Sequence, residues 1–233
     1  MSEVRSTTAD LLQQLFTAAG RPLDAPRHRQ FLTYLRELQH WNRTISLTSI
    51  ADDAGVIRKH FLGSLDFLQA FSPRPGQALL DVGTGAGFPG LPLKLWHPEL
   101  VVDLVESSQR KSVFLRHLCR VLGLGDVRCL ITRVETLAQD EAMHGRYAVV
   151  VSRGVGRLRH WLPAALTLLQ VGGRLILTKG PTALAEVQTL TDVLSAHGGV
   201  LMDLMPMAGE SSTARTMVVI SKSGSGRQVD KCR

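Results

Sequence analysis

Three glycines at alternate positions, Gly83, Gly85 and Gly87, follow directly on the apolar run Leu79-Leu80-Asp81-Val82 and lead through Phe88-Pro89-Gly90 into a helical pattern. A buried strand turning over a ligand requires glycine there, because a Cβ blocks both the turn and the close approach of backbone to ligand. Asp81 stands near the end of that strand. A second carboxylate, Glu106, ends the next apolar run, Val101-Val102-Asp103-Leu104-Val105. A carboxylate so placed in an open α/β sheet accepts both hydroxyls of a bound ribose. Charge-assisted hydrogen bonds of this kind contribute about 1.5–3 kcal/mol. Asp81, Gly83, Gly85 and Glu106 are therefore the first candidate ligand residues. Two phases of the glycine loop compete. Counted from Gly83, the dinucleotide pattern G-x-G-x-x-G fails at Phe88. Counted from Gly85 it matches through Gly87 and Gly90, but it starts later after the strand and runs through Pro89. The later phase keeps an NAD-dependent oxidoreductase open as an alternative.

The elements that must position these residues follow from periodicity. Leu11, Leu12, Leu15 and Phe16 share one helical face, and Phe31, Leu32, Leu35 and Leu38 another, with Gly20-Arg21-Pro22 as the break between them. Trp41-Asn42 to Thr48 reads as an irregular connection, and a third helix is expected over about Asp52–Phe71. From Ala78 the rhythm alternates. Strands are predicted over Ala78–Val82, Val101–Glu106, Val127–Ile131, Ala148–Val151 and Arg174–Thr178. Helices are predicted over Leu91–Trp96, Gln109–Leu122, Leu158–Leu169 and Ala183–Ala196. Such alternation implies parallel strands with crossover helices. Val200–Met207 and Thr216–Ser221, separated by the polar stretch Gly209 to Thr213, read as an antiparallel hairpin. The expected fold is α/β: a doubly wound, mostly parallel seven-stranded sheet with a C-terminal antiparallel hairpin and an N-terminal helical extension. The expected division is residues 1–73 helical, 74–222 sheet domain, and 223–233 a flexible tail.

The 233 residues carry 27 Lys and Arg against 20 Asp and Glu, a formal net charge of +7. That balance favours an anionic partner, nucleic acid foremost. No apolar run reaches the roughly 18–20 residues a membrane span requires. Met1-Ser2-Glu3-Val4-Arg5-Ser6 lacks a signal-peptide layout. Cys119, Cys129 and Cys232 offer neither a disulfide framework nor a metal-ligand spacing, so no metal is expected. The expected compartment is the cytoplasm and the expected state a monomer.

The spacing Asp81-x-Gly83-x-Gly85-x-Gly87 resembles the first motif of class I S-adenosylmethionine-dependent methyltransferases, which also carry a C-terminal antiparallel hairpin on the sheet edge. Within that resemblance, the acceptor chemistry is narrowed by what is missing. The fourth strand ends in Val151-Ser152-Arg153-Gly154, not in the Asp/Asn-Pro-Pro-aromatic motif of enzymes that methylate exocyclic amines. Cys119 and Cys129 read as small apolar residues of a helix and a strand, not as nucleophiles. An acceptor that needs neither deprotonation nor covalent activation fits this absence. Guanine N7, whose in-plane lone pair is already an acceptor, is one; other oxygen or nitrogen acceptors fit as well.

Further marks are Trp41-Asn42 with Leu47-Thr48, His60 with Ser64, and the extended Gly87-Phe88-Pro89-Gly90-Leu91-Pro92-Leu93. Glu106-Ser107 with Lys111 and Phe114-Leu115, Arg133-Val134-Glu135, Ser152-Arg153 and Lys179-Gly180 complete the set. On these the chain resembles, over nearly its whole length, the RsmG (GidB) family of bacterial 16S rRNA guanine-N7 methyltransferases. The departures are Ser46, Lys59, Gly63 and Gly154. The resemblance implies that Gly83, Gly85, Phe88, Glu106, Val134, Glu135 and Arg153 contact S-adenosylmethionine and that 16S rRNA of the small ribosomal subunit is the substrate. Lys59, His60, Arg110, Lys111, Arg153, Lys179 and Arg215 are the basic residues expected near the carboxyl edge of the sheet, where RNA would lie. A small-molecule methyltransferase would share the cofactor site and remains the second alternative.

Overall fold

The computed structural model describes residues 7–180, 182–207 and 215–224. The expected hairpin tip at Gly209–Thr213, the tail from Ser225 and Cys232 lie outside them. Two helices open the chain, α1 (Thr8–Ala18) and α2 (Ala25–Asn42). Each starts where a side chain takes an otherwise unpaired backbone N–H: Thr7 and Asp10 form a reciprocal capping pair on α1, and Asp24 accepts from Arg27 N on α2. The expected third helix is instead a helical run of four pieces. These are α3 (Asp53–Gly55), a π-helical turn over Val56–Leu62, α4 (Gly63–Leu65) and a 3-10 turn over Asp66–Gln69.

The sheet domain follows as β1 (Ala78–Val82), α5 (Gly90–Trp96), β2 (Val101–Val105), α6 (Gln109–Val121), β3 (Val127–Leu130), α7 (Val134–Leu137), β4 (Tyr147–Arg153), α8 (Leu158–Leu168) and β5 (Leu169–Lys179). It ends with α9 (Ala183–Gln188), α10 (Thr191–Ala196), β6 (Gly199–Met207) and β7 (Arg215–Lys222). The strand order is β3-β2-β1-β4-β5-β7-β6. β1 to β5 are parallel, and β7 runs antiparallel to both β5 and β6. The chain winds one way from β1 to β3 and the other way from β4, so the switch point lies between β1 and β4. In open α/β sheets that is where ligands bind, outside the carboxyl ends of the strands.

Differences from expectation have local causes. β5 begins at Leu169, five residues before the expected Arg174, because the chain enters the sheet beside Tyr147 and passes Gly172-Gly173 before its ladder with β4 resumes. The single helix expected over Ala183–Ala196 is two short ones, interrupted after Gln188. α7, which carries Val134 and Glu135, is a further helix beyond those expected.

Side-chain alternation divides the interior into two layers. Leu79, Val102, Leu104, Val149, Val151, Ile176 and Val219 face one side, and Leu80, Val105, Val150, Leu175, Leu177, Val218 and Ile220 the other. The first layer is continuous with Leu12, Phe16, Phe31, Leu35, Leu38 and Phe61 of the N-terminal helices. At about 1.5–3 kcal/mol for each large apolar side chain buried, these contacts fix the N-terminal helices against the sheet.

Candidate functional site

The loop after β1 is built by its own backbone. Gly83 N and Thr84 N donate to Val105 O at 2.9 and 3.1 Å, so the turn is tied to the end of β2. Gly83, Gly85 and Gly87 have φ of 66°, 60° and 100°, values that favour glycine. Asp81 is completely buried below the loop. Its Oδ2 accepts from Thr84 Oγ1 at 2.6 Å and from Gly90 N at 2.8 Å. Burial pushes its carboxyl up to about 6, against the lowering effect of those two hydrogen bonds and of Arg153. Asp81 lines neither cavity described below; its carboxylate acts on the glycine loop, so any hold on a ligand runs through that backbone.

Two cavities open over the switch point. The first, of about 450 Å³, lies above β1, β2 and β3 and is lined by Gly83, Glu106, Ser107, Thr132, Val134, Glu135 and Trp161 among others. Glu106 is buried; its Oε2 accepts from Gly85 N at 3.0 Å and its Oε1 from Ser108 N at 2.8 Å. A carboxylate has about four acceptor positions, so two remain for a diol. Val134 is buried and Glu135 exposed at the rim.

The second cavity, of about 620 Å³, lies on the β4 side. It gathers Lys59, His60, Gly83, Gly85, Phe88, Lys111, Arg153, Lys179 and Arg215, and among its lining residues there is no carboxylate. Arg110, exposed in the first turn of α6, lines neither cavity. The cavities meet at Gly83, Val155 and Gly156. Val155 overhangs the glycine loop so closely that a Cβ on Gly83 would lie 2.4 Å from its Cγ2. The overhang is pinned from β5: Lys179 Nζ donates to Gly156 O at 2.8 Å and pairs with Glu186 at 3.1 Å, and Glu186 also accepts from Leu158 N at the start of α8. The Lys179 ammonium, expected among the basic residues at the carboxyl edge, is thus engaged within the protein.

One network joins the N-terminal helices to the sheet. The Asn42 side chain accepts from Leu47 N and Thr48 N and donates to Thr48 O, at 2.8–2.9 Å. Thr48 Oγ1 meets His60 Nε2 at 2.7 Å, and Arg153 Nη2 donates to His60 Nδ1 at 2.9 Å while Nη1 donates to Lys59 O at 3.0 Å. Since Arg153 can only donate, Nδ1 is the acceptor and Nε2 carries the proton. Burial, with the Arg153, Arg215 and Lys59 charges, pushes the His60 imidazole down to about 3. His60 is therefore neutral, a correction to its expected place among the basic RNA contacts. Its ring lies nearly parallel to Phe88, centroids 4.6 Å apart, and the Arg153 guanidinium lies 5.0 Å from the same ring centre. Arg153 itself, lowered by burial and by Arg215 to about 10, remains charged at neutral pH.

Several residues of the site carry no chemical mark in the sequence. Tyr34 donates to Ala86 O at 2.6 Å and stacks on Phe88 at 5.2 Å, closing the site from below. Val155 and Trp161 are the others. Only the apolar stripe of α2 hints at Tyr34, and nothing local marks Val155 or Trp161.

A family model described as GidB, rRNA small subunit methyltransferase G, matches residues 27–214. The chain belongs to the GidB family. The "Ribosomal RNA small subunit methyltransferase G" of Roseiflexus sp. (strain RS-1) is 40% identical over 213 residues, 91% of each chain. That of Clostridium botulinum (strain Loch Maree / Type A3) is 30% identical over 213 residues, 91% of this chain and 89% of its own. Among solved structures, a mutant of the 16S rRNA (adenine(1408)-N(1))-methyltransferase from Catenulisporales acidiphilia superposes with a TM-score of 0.54 at 18% identity, covering 65% of this chain and 87% of that one. The M. jannaschii TYW2 complex with AdoMet does so with 0.54 at 15% identity, covering 69% and 76%. These two likenesses establish the class I methyltransferase fold. Members of the GidB family use S-adenosylmethionine, and the residues here fit it: a glycine turn held at positive φ, a buried acid with free acceptor positions, and a cavity of about 450 Å³ beside both.

Proposed function

We propose that this protein transfers a methyl group from S-adenosylmethionine to N7 of a guanine in the 16S rRNA of the small ribosomal subunit. The observation that carries this reading is the pairing of the two cavities across Gly83: one that holds the buried Glu106 and suits a nucleoside, and a cation-lined one without any carboxylate. When bound, the cofactor supplies an electrophilic methyl on its sulfonium. Glu106 takes the ribose hydroxyls, Val134 and Glu135 flank the adenine, and Gly83 and Gly85 bring backbone close to the ligand. Phe88 and Arg153 bound the end nearest the acceptor.

The acceptor cavity offers no general base. Both His60 nitrogens are engaged, and its other titratable side chains are cations. Guanine N7 attacks with its own lone pair and needs no deprotonation, so the residues only hold it in line with the methyl. In an A-form helix N7 lies in a deep, narrow groove; the target is therefore a loop, bulge or end. Lys59, Lys111 and Arg215 reach the phosphates, with Arg110 outside the cavity extending the track. Residues 1–73, which bring Leu47, Ile50, Lys59 and His60, shape the cleft over the domain at 74–222. On this reading the chain acts as a monomer in the cytoplasm.

The test supplies methyl-labelled cofactor with intact small subunits, naked 16S rRNA, or free guanine nucleotides, and maps the label by base-specific strand scission at N7-methylguanine. Labelled scission in rRNA from either ribosomal substrate supports the reading, and label on free nucleotides alone overturns it. Replacing Lys59, Lys111 and Arg215 by alanine lowers the salt slope of RNA binding by about 0.7–0.9 for each phosphate that is no longer neutralised. An unchanged slope removes those residues from the interface.

A further inference from the structure

Trp161 lines the nucleoside cavity from α8 and is 3% exposed. Its indole Nε1 is buried, yet among the described residues it has no hydrogen-bond partner. The ring belongs to the apolar cluster that also holds Val82, Val105, Val134 and Leu162, side chains without an acceptor. Buried polar groups in native proteins are nearly always paired, so an orphan at a cavity wall calls for an explanation. An indole N–H is only a donor, and the partner it lacks is an acceptor. Glu106, in the same wall, accepts from Gly85 N and Ser108 N and keeps positions for hydroxyl donors. With the ribose hydroxyls assigned to Glu106, the acceptors that the base itself presents to a donor in this wall are the ring nitrogens of adenine.

We infer that the Trp161 indole N–H donates to a ring nitrogen of the bound adenine, fixing the base in the cavity. This rests on the reading that the cavity takes an adenosyl ligand. Trp161 thereby reads the base by hydrogen bonding as well as by contact. A structural ring at this position would be indifferent to which base atoms carry lone pairs.

The experiment titrates the full chain with S-adenosylhomocysteine and with its 1-deaza, 3-deaza and 7-deaza analogues, each of which replaces one ring nitrogen by C–H. Trp161→Phe binds the parent compound about 3- to 10-fold more weakly, the effect of removing one hydrogen bond. One analogue shows a comparable loss on the wild type and no further loss on Trp161→Phe. If every analogue loses as much on the variant as on the wild type, or if none loses on the wild type, the inference is overturned while the cofactor reading stands. Failure of the parent compound to bind the wild type overturns both. Should Trp161→Phe not fold, the indole ¹⁵N–H resonance of Trp161 in the wild type, assigned with Trp41→Phe and Trp96→Phe, answers the same question. It moves with the parent compound and far less with the analogue lacking the acceptor, and an equal response to all four compounds overturns the inference.

Discussion

Replacing Asp81 by Asn separates support of the loop from contact with the ligand. Asp81 is fully buried, and one of its oxygens, Oδ1, has no partner among the described residues. Burial raises its carboxyl from 3.8 to about 6. A rise of that size corresponds to about 3 kcal/mol at about 1.4 kcal/mol per tenfold. The sign follows from proton uptake. Between about pH 4 and pH 6 the folded protein holds a proton that the unfolded chain has released, so the contribution of Asp81 is fully present below the unfolded value and is lost as pH rises through 6. Asn keeps one oxygen to accept from Thr84 Oγ1 and Gly90 N but never ionises. The stability of Asp81→Asn relative to wild type should therefore climb by up to about 3 kcal/mol between pH 4 and pH 7.5, measured by urea unfolding at closely spaced pH. S-adenosylhomocysteine affinity should stay within a few-fold of wild type, because the carboxylate lines neither cavity. A flat stability difference across that range, together with loss of binding, would refute the argument and return Asp81 to the ligand.

Other perturbations address the cavity walls. Glu106→Ala removes the acceptor for Gly85 N, for Ser108 N and for the ribose, so calorimetric affinity for S-adenosylhomocysteine should fall about 10-fold or more; unchanged affinity takes Glu106 out of the site. Gly83→Ala forces a Cβ to within 2.4 Å of Val155 at a φ of 66°, which should cost about 1–2 kcal/mol in thermal unfolding from backbone strain alone. Adding Val155→Ala should restore part of that loss, and strict additivity would show that the two residues do not meet. The His60 ring should give no titration between pH 5 and 8 by NMR. Its lowered value means that its contribution to stability is present above about 6.5 and erodes as pH falls from there toward 3. A midpoint near 6.5 would mean that the ring is neither buried nor faced by Arg153.

The sheet was legible because its signals are local. β1 falls at Ala78–Val82 as expected, and β2 ends one residue earlier than expected, before Glu106 turns back to the glycine loop. Period-two alternation and short apolar runs write such strands directly into the sequence. The π-helical turn that presents Lys59 and His60 was not legible. Nothing in Val56–Leu62 departs from a helical pattern, and its Phe61 packs against Phe31 of α2 and against Phe88, contacts that sequence spacing does not record. The site was legible in kind but not in detail. Gly83, Glu106, Val134, Glu135 and Arg153 lie around the two cavities as their positions after β1, β2, β3 and β4 suggested. Spacing could not disclose that Asp81 points inward, that burial and three neighbouring cations keep His60 uncharged, or that Lys179 is tied to Glu186. Cys119 and Cys129, placed separately as small buried residues, are only partly buried and lie against one another across α6 and β3. Ten positions of sequence separation gave no sign of that pairing.

The continuity of Phe16, Phe31, Leu35 and Phe61 with Leu79, Val102 and Val149 binds recognition to catalysis in the lineage of this chain. Lys59 and His60 stand on a layer whose underside is also the support of the glycine loop, through Tyr34 and Phe88. A change of RNA partner made by exchanging that layer would have to recut the interior beneath the cofactor as well. Drift toward new substrates is thus steered to the outer rim, where Arg110, which lines neither cavity, can change without disturbing either floor.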